Sequence, residues 1–159
     1  MRKIAIDCDD AAVDLKNILL QHIKTRGMDI TDLNYCSGNQ GASYPEIGYN
    51  LANLIRSGEF DRGILICGTG IGMAIIANKV EGVYAGVGHD VYSAERLVKS
   101  NNAQVLTMGA RVIGPELAKT VVDAWLKSEF EAGRSLPKVE KLQMLEGDSF
   151  HAGRHADDK

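Results

Sequence analysis

With 159 residues, 45% of them apolar and 25% charged, the chain is long enough for one domain with a real core and has the composition of an ordinary globule. A net charge of −3 leaves no global basic field, so nucleic acid is excluded as a natural partner, and no apolar run reaches the roughly 18 residues of a membrane span. No signal-peptide core precedes the first strand, and Cys8, Cys36 and Cys67 lack metal-ligand spacing, so they read as reduced thiols of a cytoplasmic protein.

Residues 2–7 alternate and read as a first strand, followed by acids. From Ala11 to Arg26, Leu15, Ile18, Leu19, His22 and Ile23 form one face of a helix, and Gly27 ends it. Met28 to Leu33 reads as a second strand and the polar stretch Asn34 to Ser43 as a loop. Tyr44-Pro45 opens a helix whose apolar face is Ile47, Leu51, Leu54 and Ile55, with Gly58 as its stop. Gly63 to Cys67 is a third strand, running through Gly68, Gly70 and Gly72 into a helix. Val83 to Val87 is a fourth strand; His89-Asp90 leads into a helix from Val91 to Ser100. Gln104 to Met108 is a fifth strand, and Gly114-Pro115 starts a helix ending near Trp125 or Lys127. A linker from Glu131 to Pro137 precedes a short helix from Lys138 to Glu146. The tail from Gly147 to Lys159 is polar and expected to be disordered, with His151 and His155 belonging to a loose terminus rather than a metal site.

Strands alternating with helices, without hairpin signals, imply a five-stranded parallel sheet covered on both faces, an α/β sandwich. Ligands of such folds bind past the C-terminal strand ends. Asp7 to Asp10, Cys67 to Gly72 and His89-Asp90 all fall at such ends.

The turn after Cys67 is neither the dinucleotide fingerprint, whose glycines follow the first strand, nor a P-loop, which needs Gly-Lys-Ser/Thr. It places a thiol and the Thr69 hydroxyl beside bare backbone donors at a helix start, where a cysteine is a readier base and negative charge is stabilised. The plainer alternative is a tight crossover with Cys67 as a small buried hydrophobe. In Asp9-Asp10, Asp10 is the natural helix cap and the other carboxylate is available to a sugar hydroxyl. Arg111, Arg134 and Lys138 are scattered in sequence, and spacing alone does not gather them. Asn101-Asn102 ends a helix, where asparagine is common for conformational reasons.

Ile64-Leu-Ile-Cys-Gly-Thr-Gly-Ile-Gly72 with Asn78-Lys79, Asn101 through Val105-Leu106 to Gly109-Ala-Arg-Val-Ile-Gly114, Tyr44-Pro45 and Tyr92-Ser93-Ala94 together resemble the ribose-5-phosphate isomerase B family, which also contains the galactose-6-phosphate isomerase subunits. The resemblance runs from residue 3 to about 146, taken as the isomerase domain. It implies a Rossmann-like three-layer sandwich with a C-terminal helix used in dimerisation, a homodimer or dimer of dimers with sites between subunits, no metal or cofactor, and aldose–ketose isomerisation of a small phosphorylated sugar through a cis-enediolate. By resemblance, Cys67 is the base, Gly68, Gly70, Ile71 and Gly72 offer N–H groups to the enediolate, and Thr69 and Tyr44 line the pocket. Asp9 and Asn101 match positions that bind sugar oxygens. Arg111 and Arg134 match phosphate-binding arginines, some reaching across the dimer.

The departures concern the substrate. Where the family has a phosphate-binding histidine after the first strand, this chain has Asp10, which when ionised repels phosphate. Where it has a ring-opening histidine before the asparagine, this chain has Ser100. One phosphate arginine reads Lys138, which keeps charge but loses the bidentate fork. A tetrose phosphorylated on O4 cannot close a furanose and needs no ring-opening acid. These residues therefore fit a short linear substrate such as erythrulose 4-phosphate. His89 is the alternative source of ring-opening chemistry, in which case ribose 5-phosphate is the substrate. A phosphosugar-binding subunit without catalysis is the rival from another class; a nicotinamide oxidoreductase is more distant.

Overall fold

The computed structural model describes residues 2–152. Five parallel strands form one sheet in the order β2-β1-β3-β5-β4: β1 Lys3–Cys8, β2 Asp29–Asp32, β3 Arg62–Cys67, β4 Ala85–Val87 and β5 Val105–Gly109. The helices are α1 Val13–Lys24 (after a 3₁₀ turn, Asp10–Ala12), α2 Tyr35–Gly38, α3 Tyr44–Arg56, α4 Ile71–Ala77, α5 Val91–Lys99, α6 Pro115–Lys127 and α7 Ala132–Ala152. This is the three-layer α/β sandwich that the alternation of elements implies.

Alternation along the strands divides the core. Ile4, Ile6, Ile64, Ile66, Leu106 and Met108 face α1, α5 and α6, whose Leu19, Ala94, Val98 and Trp125 are buried against them. Ala5, Leu65, Cys67 and Val105 face α3 and α4, with Ile47, Leu51, Met73 and Ala77. β1 and β3 are neighbours, yet α1 and α4 leave them on opposite faces. The sheet therefore opens a crevice past the ends of β1 and β3, the kind of place where open α/β sheets hold ligands.

Four expectations are revised. The fourth strand is shorter than Val83 to Val87, because Val83 N–H bonds back to Val80 O in a turn. The loop after β2 contains the single helical turn α2, held from outside by Asp7 Oδ2, which accepts the Tyr35 N–H at 3.2 Å. The linker before the last helix is itself helical. A kink at Gly133 (φ 32°, ψ −126°) starts the run, and Pro137 then lies in its first turn, where a missing N–H is tolerated. Helix α7 also continues through Ala152, into the stretch expected to be disordered from Gly147; extending a nucleated helix is easy. Glu146 pins it by accepting from Tyr84 Oη (2.8 Å) and Gly82 N–H (3.2 Å). Residues 153–159, including His155, lie outside the described residues, as does the side chain of His151.

At the sheet's open edge, Asn78 pairs with β4 as a strand would. Its Nδ2 donates to Ala85 O and its Oδ1 accepts the Ala85 N–H, both at 2.8 Å. Among the described residues no helix is long and apolar enough to cross a membrane.

Candidate active site

The crevice is built around the β3–α4 turn. Cys67 ends β3 and is 5% exposed. Gly70 follows in the left-handed region (φ 78°, ψ −13°), which turns its N–H back onto Cys67 Sγ at 3.1 Å. Only glycine fits there: besides the positive φ, a Cβ on Gly70 would lie 2.8 Å from the Met108 backbone. The Ile71 N–H turns onto Thr69 Oγ1 at 3.3 Å. Two of the four residues expected to present donors, Gly70 and Ile71, thus have their N–H groups engaged inside the turn.

Side chains from neighbouring elements close over the glycines. The Tyr44 ring covers Gly72, so near that a Cβ would meet it at 2.6 Å. The Arg111 guanidinium lies over Gly68, with Nη1 3.3 Å from a Cβ position there, while Arg111 N–H bonds to Gly68 O at 3.1 Å. Asp9 is joined to the same region by its N–H, which bonds to Ile66 O at 3.2 Å. Its carboxyl is held above the usual range, first by burial and then by the charge of Asp10, against the pull of the Ala11 N–H and Arg111. Asp9, not Asp10, is the helix cap: Oδ1 accepts the Ala11 N–H at 3.1 Å, because a 3₁₀ turn starts the helix one residue earlier than expected. Asp9 and Asp10 line an open cavity of about 540 Å³ with Cys36, Gly41, Ala42, Ser43 and Tyr44.

The far wall of that cavity has a buried support that the sequence reading passes over. Lys16, 5% exposed, reaches Asp32 with both Nζ–O distances below 3 Å, 2.7 and 2.9 Å. Asp32 Oδ1 accepts the Asn34 N–H, and Asp7 accepts those of Cys8 and Tyr35. Burial raises the Asp7 carboxyl, while those N–H groups and Lys16 draw it down. The cue was available: Lys16 sits beside Leu15 and Leu19 on the face that the apolar spacing buries. Thr107, also passed over, is fully buried in β5 and donates to Gly70 O at 2.8 Å. Its cue is a hydroxyl in an otherwise apolar strand.

The remaining candidates lie elsewhere. His89 is near the turn but faces the backbone, Nε2 accepting the Gly109 N–H at 2.8 Å. Ser100 and Asn101 follow α5. This helix returns from the end of β4 to the start of the parallel β5, so both residues lie at the opposite end of the sheet from Cys67. There they line a cleft of about 300 Å³ with Ser135, Lys138, Val139 and Leu142. Arg134 is exposed one helical turn before Lys138. One chain thus carries two half-sets: thiol, carboxylates and Arg111 at one end, Ser100, Asn101 and Lys138 at the other. Among the described residues no three His, Cys, Asp or Glu side chains converge as a metal site.

Comparison with known proteins matches this arrangement to one family. The family model described as Ribose/Galactose Isomerase matches residues 4–142. The D-erythrulose-4-phosphate isomerase of Pectobacterium atrosepticum is 52% identical over 95% of this chain and 99% of its own. The ribose-5-P isomerase B of Listeria innocua is 47% identical over 91% of this chain and 97% of its own. The structure of Clostridium thermocellum ribose-5-phosphate isomerase B, 41% identical, superposes with a TM-score of 0.87 over 92% of this chain and 99% of that one.

Proposed function

The chain belongs to the ribose/galactose isomerase family, and from that premise we propose that it interconverts the ketose and aldose forms of a short linear sugar phosphate, D-erythrulose 4-phosphate and D-erythrose 4-phosphate. Cys67, as thiolate, takes the proton from the carbon next to the carbonyl. The resulting thiol returns it to the neighbouring carbon of the cis-enediolate while the hydroxyl proton passes from one enediolate oxygen to the other, so no proton is gained or lost overall. Arg111 over Gly68 stands where an anionic oxygen or the phosphate would be stabilised; one such donor contributes about 100- to 1,000-fold in rate. Asp9 accepts hydrogen bonds from substrate hydroxyls.

The observation that carries this reading is the Gly70 N–H aimed at Cys67 Sγ at 3.1 Å, a backbone donor fixed on the thiol that ends β3 at the crevice. The substrate follows from Asp10 and Ser100. Ser100 cannot open a sugar ring as an imidazole does, and a 4-phosphorylated tetrose has no ring to open; an ionised Asp10 repels a phosphate placed where the family's histidine would hold it. The activity named for the Pectobacterium relative supports the same choice.

The opposite placement of the two half-sets supports a complete site between two copies, with Ser100, Asn101, Arg134 and Lys138 supplied by the second. Exposed Ile71 and Ile75 on α4, and Leu142 and Leu145 on α7, offer apolar surface for such a contact. Three unpaired cysteines support a reducing, cytoplasmic setting.

Turnover of four-, five- and six-carbon sugar phosphates tests the substrate. The four-carbon pair is expected to be fastest, and faster turnover of ribose 5-phosphate would overturn the assignment. Cys67→Ala should abolish isomerisation and leave binding largely intact. A wild-type protein inert on every sugar phosphate would favour a binding subunit instead.

A further inference from the structure

Within β5, Thr107 is a hydroxyl among Val105, Leu106 and Met108, and it is wholly buried. Its Oγ1 donates to Gly70 O at 2.8 Å, with Gly86 O more distant at 3.4 Å. Gly70 O also accepts the Ala74 N–H at 3.1 Å. The other end of the same peptide group, the Ile71 N–H, is held by Thr69 Oγ1. The peptide joining Gly70 to Ile71 is thus tied on both sides, and with it the left-handed twist that sends the Gly70 N–H back to Cys67 Sγ.

We propose that Thr107 is a positioning residue for the proton-transfer thiol: its hydroxyl locks the Gly70 turn so that the Gly70 N–H stays on Cys67 Sγ. The proposal rests on the reading of Cys67 as the base. Glycine makes the lock necessary. The residue that alone fits the twist is also the one most free to leave it, and a change of its φ away from 78° would swing the N–H off the sulfur. If Thr107 only fills space, valine, which has the same shape, replaces it without loss.

Thr107→Val removes the hydroxyl and keeps the shape. Thr107→Ala and Thr107→Ser both remove the methyl, the first without and the second with the hydroxyl. Asp9, Arg111, His89 and Tyr44, the other ionisable groups around the turn, are unchanged in all three. Two readouts are taken: steady-state kinetics, and iodoacetamide alkylation of Cys67 followed by mass spectrometry, as the rate at neutral pH relative to that at pH 10. For Val and Ala, kcat is expected to fall about tenfold, the scale of one hydrogen bond to a charged group, with KM nearly constant. The alkylation ratio should fall in parallel, and Ser should restore most of both. Val and Ala variants with wild-type kcat and ratio would overturn the proposal, as would a Ser variant no better than Ala. If Val does not fold, the Ala–Ser pair, differing only in the hydroxyl, decides. A lowered alkylation ratio with unchanged kcat supports the positioning role and instead overturns Cys67 as the base.

Discussion

His89 Nε2 accepts the Gly109 N–H at 2.8 Å, so the imidazole that sequence offers as a ring-opening acid already uses that lone pair on the backbone. Gly109 pairs with Cys67 in the sheet register, and the histidine therefore braces the strand beside the thiol. The bond requires the neutral ring, and burial lowers the His89 pKa below its usual value, against the opposing charge of Asp90. Below about pH 6.5 the unfolded chain takes up a proton that the folded one resists, so stability is full above that pH and is lost as pH falls toward the folded value. Thermal melts from pH 8 to pH 5 should show a steeper loss for wild type than for His89→Gln, whose amide oxygen accepts without titrating. Equal slopes would mean the ring titrates freely.

The two half-sets predict complementation between inactive variants. Cys67→Ala and Asn101→Ala should each be nearly inactive as homomers. After mixing through denaturant at equal ratio, half of the dimers are hybrids, and each hybrid has one intact site of two. Activity should then return to about a quarter of wild type. Recovery no greater than the sum of the separate variants would place both residues in sites that do not cross between subunits.

Restoring imidazoles should move the substrate preference. Asp10→His with Ser100→His is expected to raise kcat/KM for ribose 5-phosphate by about 100-fold relative to erythrose 4-phosphate, the lower end of a general acid's contribution. The paired assay reads a ratio, so a general loss of activity does not mimic the effect. An unchanged ratio would disconnect these positions from substrate choice.

The Lys16–Asp32 pair should matter more than its distance from Cys67 suggests. Its side chains are 6% and 25% exposed. Lys16→Met strands a largely buried carboxylate, at a cost of about 3 kcal/mol in urea unfolding. Lys16→Met with Asp32→Asn should recover most of that loss. KM should rise in the single variant, because Asp32 holds the Asn34 N–H at the root of the cavity wall. A loss below about 1 kcal/mol would mark the pair as no stronger than a surface one.

The elements were legible because burial imposes period on sequence. The faces read at Leu15, Leu19 and Ile23, and at Ile47, Leu51 and Ile55, are the faces that pack. The turn helix α2 was not legible, since Asp7, remote in sequence, organises it. Gly133 and Pro137 read as linker signals although one forms a kink and the other a first turn. Strand order was hidden as well, although the separation of Ser100 and Asn101 from Cys67 does not depend on it. Residue types announced the chemistry, but only the crossover direction of α5 shows that one chain does not bring them together.

The clasp of Asn78 on Ala85 has a meaning for the molecule in a crowded solution. β4 would otherwise present a donor and an acceptor to any passing extended chain, the usual opening for edge-to-edge aggregation. A single side-chain amide fills both valences at that step. At the β4 edge the ladder ends in a terminator supplied from the end of the preceding helix, so this edge offers a passing strand nothing to extend at Ala85.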